Sequence, residues 1–314
     1  MKKFTKIILI ITGVFVILGV AFIGAGSVMA GGIGVLNEQL RSGNMNFGNW
    51  HFDDGFYYYN DDIKLDVTNI VEDSMGILPK GNEQATSEFT ENITKLEIDT
   101  DMSNITIKTA DVEAITVSLK DGYEKYYEVE TNGDILYVSY EVGGQNFKQG
   151  PKIIVEVPQQ TALESIYIDT DLGEVAICDL EQLEEVEIEA DLGDVRMENC
   201  KVNGWCTVDA ALGNIVMVNS YFEKIDMSAD LGNIEFSGTV EKDINGQADM
   251  GNIEVCLTGN ESDYNIELSS DMGEVCYGDH KSGGMGGSHS SYQEHAVGTI
   301  YLNCDMGNVE LSFQ

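Results

Sequence analysis

Asp169-Thr170-Asp171-Leu172-Gly173-Glu174-Val175 is answered downstream by Glu189-Ala190-Asp191-Leu192-Gly193-Asp194-Val195, and then by Asp209-Ala210-Ala211-Leu212-Gly213-Asn214-Ile215. The phrase returns as Asp230-Leu231-Gly232-Asn233-Ile234, Asp249-Met250-Gly251-Asn252-Ile253, Asp271-Met272-Gly273-Glu274-Val275 and Asp305-Met306-Gly307-Asn308-Val309. A divergent copy, Asp101-Met102-Ser103-Asn104-Ile105, lies upstream. The glycines Gly173, Gly193, Gly213, Gly232, Gly251, Gly273 and Gly307 are separated by steps of 20, 20, 19, 19, 22 and 34. A period of this size means stacked, near-identical units.

Inside a unit the pattern has period two. Val186, Ile188, Ala190 and Leu192 share one parity, and Glu185, Glu187, Glu189 and Asp191 the other, so one face is dry and one wet. After the glycine, alternation resumes with pairs such as Val195 and Met197 or Ile234 and Phe236. Two short strands therefore flank a corner. At that corner the glycine is expected to supply positive φ, the preceding Leu or Met to fill the inside, and the aspartate to accept backbone N–H bonds.

A unit of about 20 residues cannot bury its apolar face alone, which favours stacking into an all-β, single-chain β-solenoid. Leu180 and Leu183 follow the short second strand as inward contacts for a third side. A β-sandwich of hairpins is the competing architecture, because Asp-Leu-Gly also suits a hairpin loop. The repeats span residues 166–314, with a Gly- and His-rich loop insertion at 278–297. Residues 91–165 read as further strands that break the step (Ile93 to Ile98, Ile105 to Ile107, Ile115 to Leu119, Ile135 to Tyr140, Ile153 to Val157) and are expected to cap the solenoid. Residues 37–90, without sustained periodicity, read as a stalk or spacer.

Residues 7–36 carry no charge and follow Lys2, Lys3 and Lys6. That is long enough for a transmembrane helix, with residues 1–6 as a cytoplasmic basic tip and the C-terminal domain extracellular, a single-pass protein of the bacterial cell membrane. A cleaved signal peptide ending near Val28-Met29-Ala30 is the alternative, and also exports the domain. No cysteine precedes Cys178, which excludes a lipoprotein anchor.

With 17 Lys+Arg against 54 Asp+Glu, the net charge of -37 disfavours nucleic acid and anionic lipid as partners. Arg41 and Arg196 are the two arginines, so there is no guanidinium cluster for phosphate or carboxylate substrates. The six cysteines form no CxxC pair; each is read as a small buried hydrophobe, with disulfides permitted by export. Three of the four histidines, His280, His289 and His295, fall in the insertion at no metal-ligand spacing.

Stacking brings Asp171, Asp191, Asp230, Asp249 and Asp271 into an outward ladder about 4.8 Å apart. A pair of charges at that distance costs about 1 kcal/mol in water and about 3.5 kcal/mol at an effective dielectric near 20, so relief is required. Turn capping is the favoured relief, and calcium bridging the minor one. No other cofactor is indicated. Paired acids are abundant, but none stands out beside a basic partner, and Lys201, Lys224 and Lys242 fall at no common offset.

Ile153-Ile154-Val155-Glu156-Val157-Pro158 leading into Leu163-Glu164-Ser165-Ile166-Tyr167-Ile168, followed by the Asp-Leu-Gly-x-Val units, resembles the bacterial β-strand-repeat family of adhesin candidates (DUF4097-like), over about residues 90 to 314. The resemblance implies an anchored envelope protein with no catalytic residues to carry over, and for some members a link to envelope stress. The expected function is a non-catalytic adhesin or envelope interaction module contacting a cell-envelope polymer or protein. The alternatives are an envelope-stress sensor and a polysaccharide-acting β-helix enzyme.

Overall fold

The computed structural model describes residues 81–314 apart from 91, 144–145, 148 and 284–285, together with short strands at 50–51, 57–60, 63–66 and 77–78. The expected basic tip and membrane segment lie outside the described residues. The chain divides into two units, Met1–Ile77 and Leu78–Gln314. In the first, Trp50–His51, Tyr57–Asn60 and Ile63–Asp66 form an antiparallel meander, so part of the stretch read as a spacer carries paired strands.

The second unit is a parallel β-solenoid. On its first side, Ser165–Thr170 pairs in parallel and in register with Leu183–Leu192, which pairs with Lys201–Leu212, and the stacking continues through Ile215–Leu231 to Ile244–Met250. On the second side Val175–Cys178, Val195–Glu198 and the start of Ile215–Leu231 stack likewise, followed by Ile234–Val240 and Ile253–Leu257. Parallel, in-register pairing between units rules out the sandwich of hairpins, in which neighbouring strands would run antiparallel.

The alternation seen in the sequence places Ile166, Val186, Cys206, Ile225 and Ile244 in one inward column, and Val175, Val195, Ile215, Ile234 and Ile253 in another, all buried. Leu180 and Leu183 are buried on the third side as expected. The coil turns onto that side through Asp179, Asn199 and Asn219, each in the left-handed region at φ of 59°, 54° and 52°, a conformation that Asn and Asp tolerate best among residues bearing a side chain.

The ends depart from sequence order. Lys95–Thr100 and Asn104–Ala110 form a coil lying between the 165–178 coil on one side and Ile135–Tyr140 with Lys152–Pro158 on the other. Tyr127–Asn132 and Ile115–Gly122 then cover that outer coil antiparallel, and Glu83–Phe89 pairs onto Ile115–Gly122. At the other end the last stretch of chain, Gly298–Met306 and Val309–Phe313, inserts between the 244–257 coil and the outermost coil, Tyr264–Met272 with Glu274–Tyr277. The insertion expected as a loop instead carries two strands, His280–Gly283 and Gly287–Ser291, lying antiparallel on Glu274–Tyr277 and Tyr264–Met272 of that outermost coil. Each end is thus closed by antiparallel strands, which satisfies backbone groups that a bare coil would expose.

Candidate interaction surfaces

The glycines align. A Cβ built on Gly193 would lie 2.0 Å from the Gly173 carbonyl oxygen, on Gly213 2.0 Å from that of Gly193, on Gly232 1.8 Å from that of Gly213, and on Gly251 1.8 Å from that of Gly232. The column continues through Gly307, 1.6 Å from the Gly251 oxygen, to Gly273, 1.8 Å from that of Gly307. Close approach of the neighbouring coil is the common requirement. The expected positive φ is met at Gly173, Gly193 and Gly307, at 141°, 148° and 151°, but not at Gly213, Gly232, Gly251 or Gly273, where close approach alone requires glycine. Ser103 occupies the same column beneath Gly173, so the divergent copy is a true corner.

Two expectations about the corner are corrected. The Leu or Met before glycine does not fill the inside: Leu172, Leu231, Met250, Met306 and Met272 are 44%, 41%, 44%, 41% and 58% exposed. Alternation slips there. Ala190 faces in, but both Asp191 and Leu192 lean outward, because the inner side of the bend is occupied by the small-residue column Thr170, Ala190, Ala210, Ala229 and Ala248 and by the glycine backbones.

The second correction concerns backbone capping. Asp101 accepts N–H bonds from Val142 (2.7 Å) and Gly143 (3.1 Å), but in the repeats the acceptor is the residue after glycine. Asp194 Oδ1 accepts from the Asn214 N–H at 2.7 Å, Asn214 Oδ1 from Asn233 at 3.0 Å, Asn233 Oδ1 from Asn252 at 2.9 Å, Asn252 Oδ1 from Asn308 at 2.9 Å and Asn308 Oδ1 from Glu274 at 2.9 Å. Asn214, Asn233 and Asn252 also donate their side-chain amides to the coil below, as Asn233 Nδ2 does to Asn214 Oδ1 at 3.2 Å. The sequence carried the signal as an alternation of acid and Asn at this position. Glu274 looks out of place between Asn252 and Asn308 in sequence, yet it stands on the outermost coil, where its N–H donates to Asn308 and no further parallel coil needs an acceptor from it.

The registers place Asp171, Asp191, Asp230, Asp249 and Asp271 in one column, interrupted at Ala211 and with Asp305 lying between Asp249 and Asp271. A second acidic column on the first side, Asp99, Asp169, Glu189 and Asp209, runs beside it. Partial burial, and then the neighbouring carboxylates, push Asp169, Asp171 and Asp209 above the ordinary carboxylate range. Among the described residues, no group of three or more His, Cys, Asp or Glu side chains is placed to hold a metal ion.

The cysteines divide. Cys200, Cys206 and Cys304 are buried, while Cys178, Cys256 and Cys276 are partly exposed, and all six are free thiols. Burial pushes the Cys200 thiol up to about 11 and Cys206 further, so both are poor nucleophiles at neutral pH. His280 and His289 lie with ring centres 5.1 Å apart and tilted at 51° in the two capping strands, where burial and the neighbouring ring lower the pKa of His289.

With stacked coils, a glycine column and acid-lined faces in place, the match to known proteins has a physical basis. The model of the Toastrack DUF4097 family matches residues 93–281. The chain belongs to this family. Among solved structures, a candidate adhesin from Bacteroides fragilis aligns at 13% identity over 74% of this chain and 99% of that one, with a TM-score of 0.39. One from Parabacteroides distasonis aligns at 11% identity over 74% and 99%, with a TM-score of 0.38. A candidate cell adhesion protein from Clostridium sporogenes aligns at 9% identity over 74% and 99%, with a TM-score of 0.31. No curated protein matches the chain.

Proposed function

We propose that this Toastrack chain is a non-catalytic interaction module of the bacterial cell envelope, held by its N-terminal apolar segment with the solenoid on the outer side. What supports this reading is the regularity of the exterior. Outward positions on the first side fall in register coil after coil, and several of their polar atoms bond between coils, as between Asn245 and Asp226 (3.0 Å) or Ser269 and Asn303 (2.7 Å). A surface built this way offers a long, flat, rigid binding face, whereas acid–base catalysis needs groups of different pKa converging on one point. The partner is an envelope polymer or protein rather than nucleic acid, given the charge of -37.

Two experiments test the reading. Incubating the full chain with isolated cell-wall glycans and scoring both retention and release of reducing ends should give retention without release; release would make it an enzyme. Protease shaving of intact cells should remove the solenoid, and its protection would reverse the orientation.

A further inference from the structure

The first side carries an exposed tryptophan that its own coil neighbours do not explain. Trp205 is 46% exposed, yet it is fixed: its indole N–H donates to Thr207 Oγ1 at 2.6 Å, and the Lys224 ammonium lies 5.6 Å from the ring centre. Lys224 is held in turn by Asp243 at 3.1 Å. Three coils further along the axis Tyr301 is 39% exposed, in the column Thr207, Asp226, Asn245, Tyr301. A shallow cleft of about 170 Å³ connects the two rings, lined also by Lys224, Asp226, Asp243 and Asn245. Beyond it Tyr292, 69% exposed, donates its hydroxyl to Glu267 at 2.5 Å, and Glu267 is the register partner of Tyr301.

We infer that this cleft binds a linear amino-sugar glycan lying along the solenoid axis, with pyranose rings stacked on Trp205 and Tyr301; the inference rests on the interaction-module reading and names its ligand class. Aromatic faces flanked by carboxylates and carboxamides suit sugars, whose C–H faces stack on rings while their hydroxyls bond to Asp and Asn. The spacing of coils, about 4.8 Å, is close to the length of one pyranose unit, so a glycan laid along the axis keeps step with successive coils. Charge selects the sugar. The one cation lining the cleft, Lys224, is already paired with Asp243, so uronate or phosphodiester chains would meet Asp226 and Glu267 with no further cation to offset them, whereas free amino groups would be attracted.

The test uses the full chain in detergent micelles with Trp50→Phe, which leaves Trp205 as the single indole because the sequence holds 2 tryptophans. It is titrated with hexamers of glucosamine, N-acetylglucosamine and galacturonic acid. The glucosamine hexamer should shift the Trp205 emission and bind more tightly than the acetylated one, and the galacturonate hexamer should leave the emission unchanged. By calorimetry in the wild-type background, Trp205→Ala and Tyr301→Ala should each weaken glucosamine-hexamer binding about tenfold or more, with Tyr301→Phe close to wild type. Equal affinity in Trp205→Ala, no response to any hexamer, or tightest binding of galacturonate overturns the site. If wild-type retention on cell-wall material survives Trp205→Ala unchanged, the glycan site falls while the interaction module stands; if no envelope material retains the wild type, both fall.

Discussion

At Gly213 the Gly193 carbonyl oxygen stands 2.0 Å from where a methyl would go, so backbone has to move for any other residue to fit. Gly213→Ala should cost about 2–5 kcal/mol, read as a large fall in melting temperature. Gly133→Ala is the control, because nothing lies within 4 Å and only its φ of +69° resists the change; it should cost about 1 kcal/mol. At Asn233, replacement by leucine removes the acceptor of the Asn252 N–H and should cost about 1–3 kcal/mol, with aspartate recovering part of the loss. The glycine column is legible in the sequence because the same short phrase, Leu or Met before glycine and Val or Ile two residues after it, recurs at every member. The outward turn of Leu172 and Met250 was not, because period-two parity says nothing about a slip at a bend.

Stacked strands bring like charges together in columns, and their titration has a definite sign. Asp169, Asp171 and Asp209 have pKa values raised in the folded chain above those of the unfolded chain, so within that window the folded state holds more protons. The stabilisation they give is complete below the unfolded value, about 3.9, and is lost as pH rises through the folded one. These carboxylates should therefore raise the melting temperature as pH falls from neutral toward about 4, while His289, whose lowered pKa favours the unfolded chain as pH falls through the imidazole range, pulls the other way; the carboxylate part is read as the difference between the wild type and Asp169→Asn. Asp169→Asn, which relieves Asp99, Glu189 and Asp191 of a neighbour, should raise the melting temperature at neutral pH and flatten this dependence; a fall at neutral pH would contradict it. Monovalent salt should stabilise the chain at neutral pH, and calcium at matched ionic strength should add no more than magnesium does. The alternation shows where strands lie beside each corner, as at 186–192 and 234–236, but not how far they run: the strands extend over Leu183–Leu192 and Ile234–Val240, and Ile215–Leu231 continues from one side of the coil into the next. Tyr127–Asn132 escapes because it folds back antiparallel on Ile135–Tyr140 instead of stacking as a further parallel coil.

For the molecule as a whole, sequence order and spatial order agree from residue 165 to 257 and part company at both ends. Step length alone cannot show this, since the 34-residue step between Gly273 and Gly307 is equally consistent with an added loop on one coil. What decides it is that Gly307 sits on Gly251, with Gly273 beyond. A chain ending at His295 should therefore lose far more than one coil's worth of structure. The 264–277 stretch would have no base, and limited proteolysis should cut there while the 165–257 coils persist; an intact 264–277 segment would contradict the topology.

The buried final segment also bears on how the protein carries mechanical load. Ile300, Leu302 and Leu311 are gripped by neighbours above and below, so a tug on the carboxyl terminus must shear two ladders at once rather than peel one. Such an arrangement locks like a wedge between two leaves.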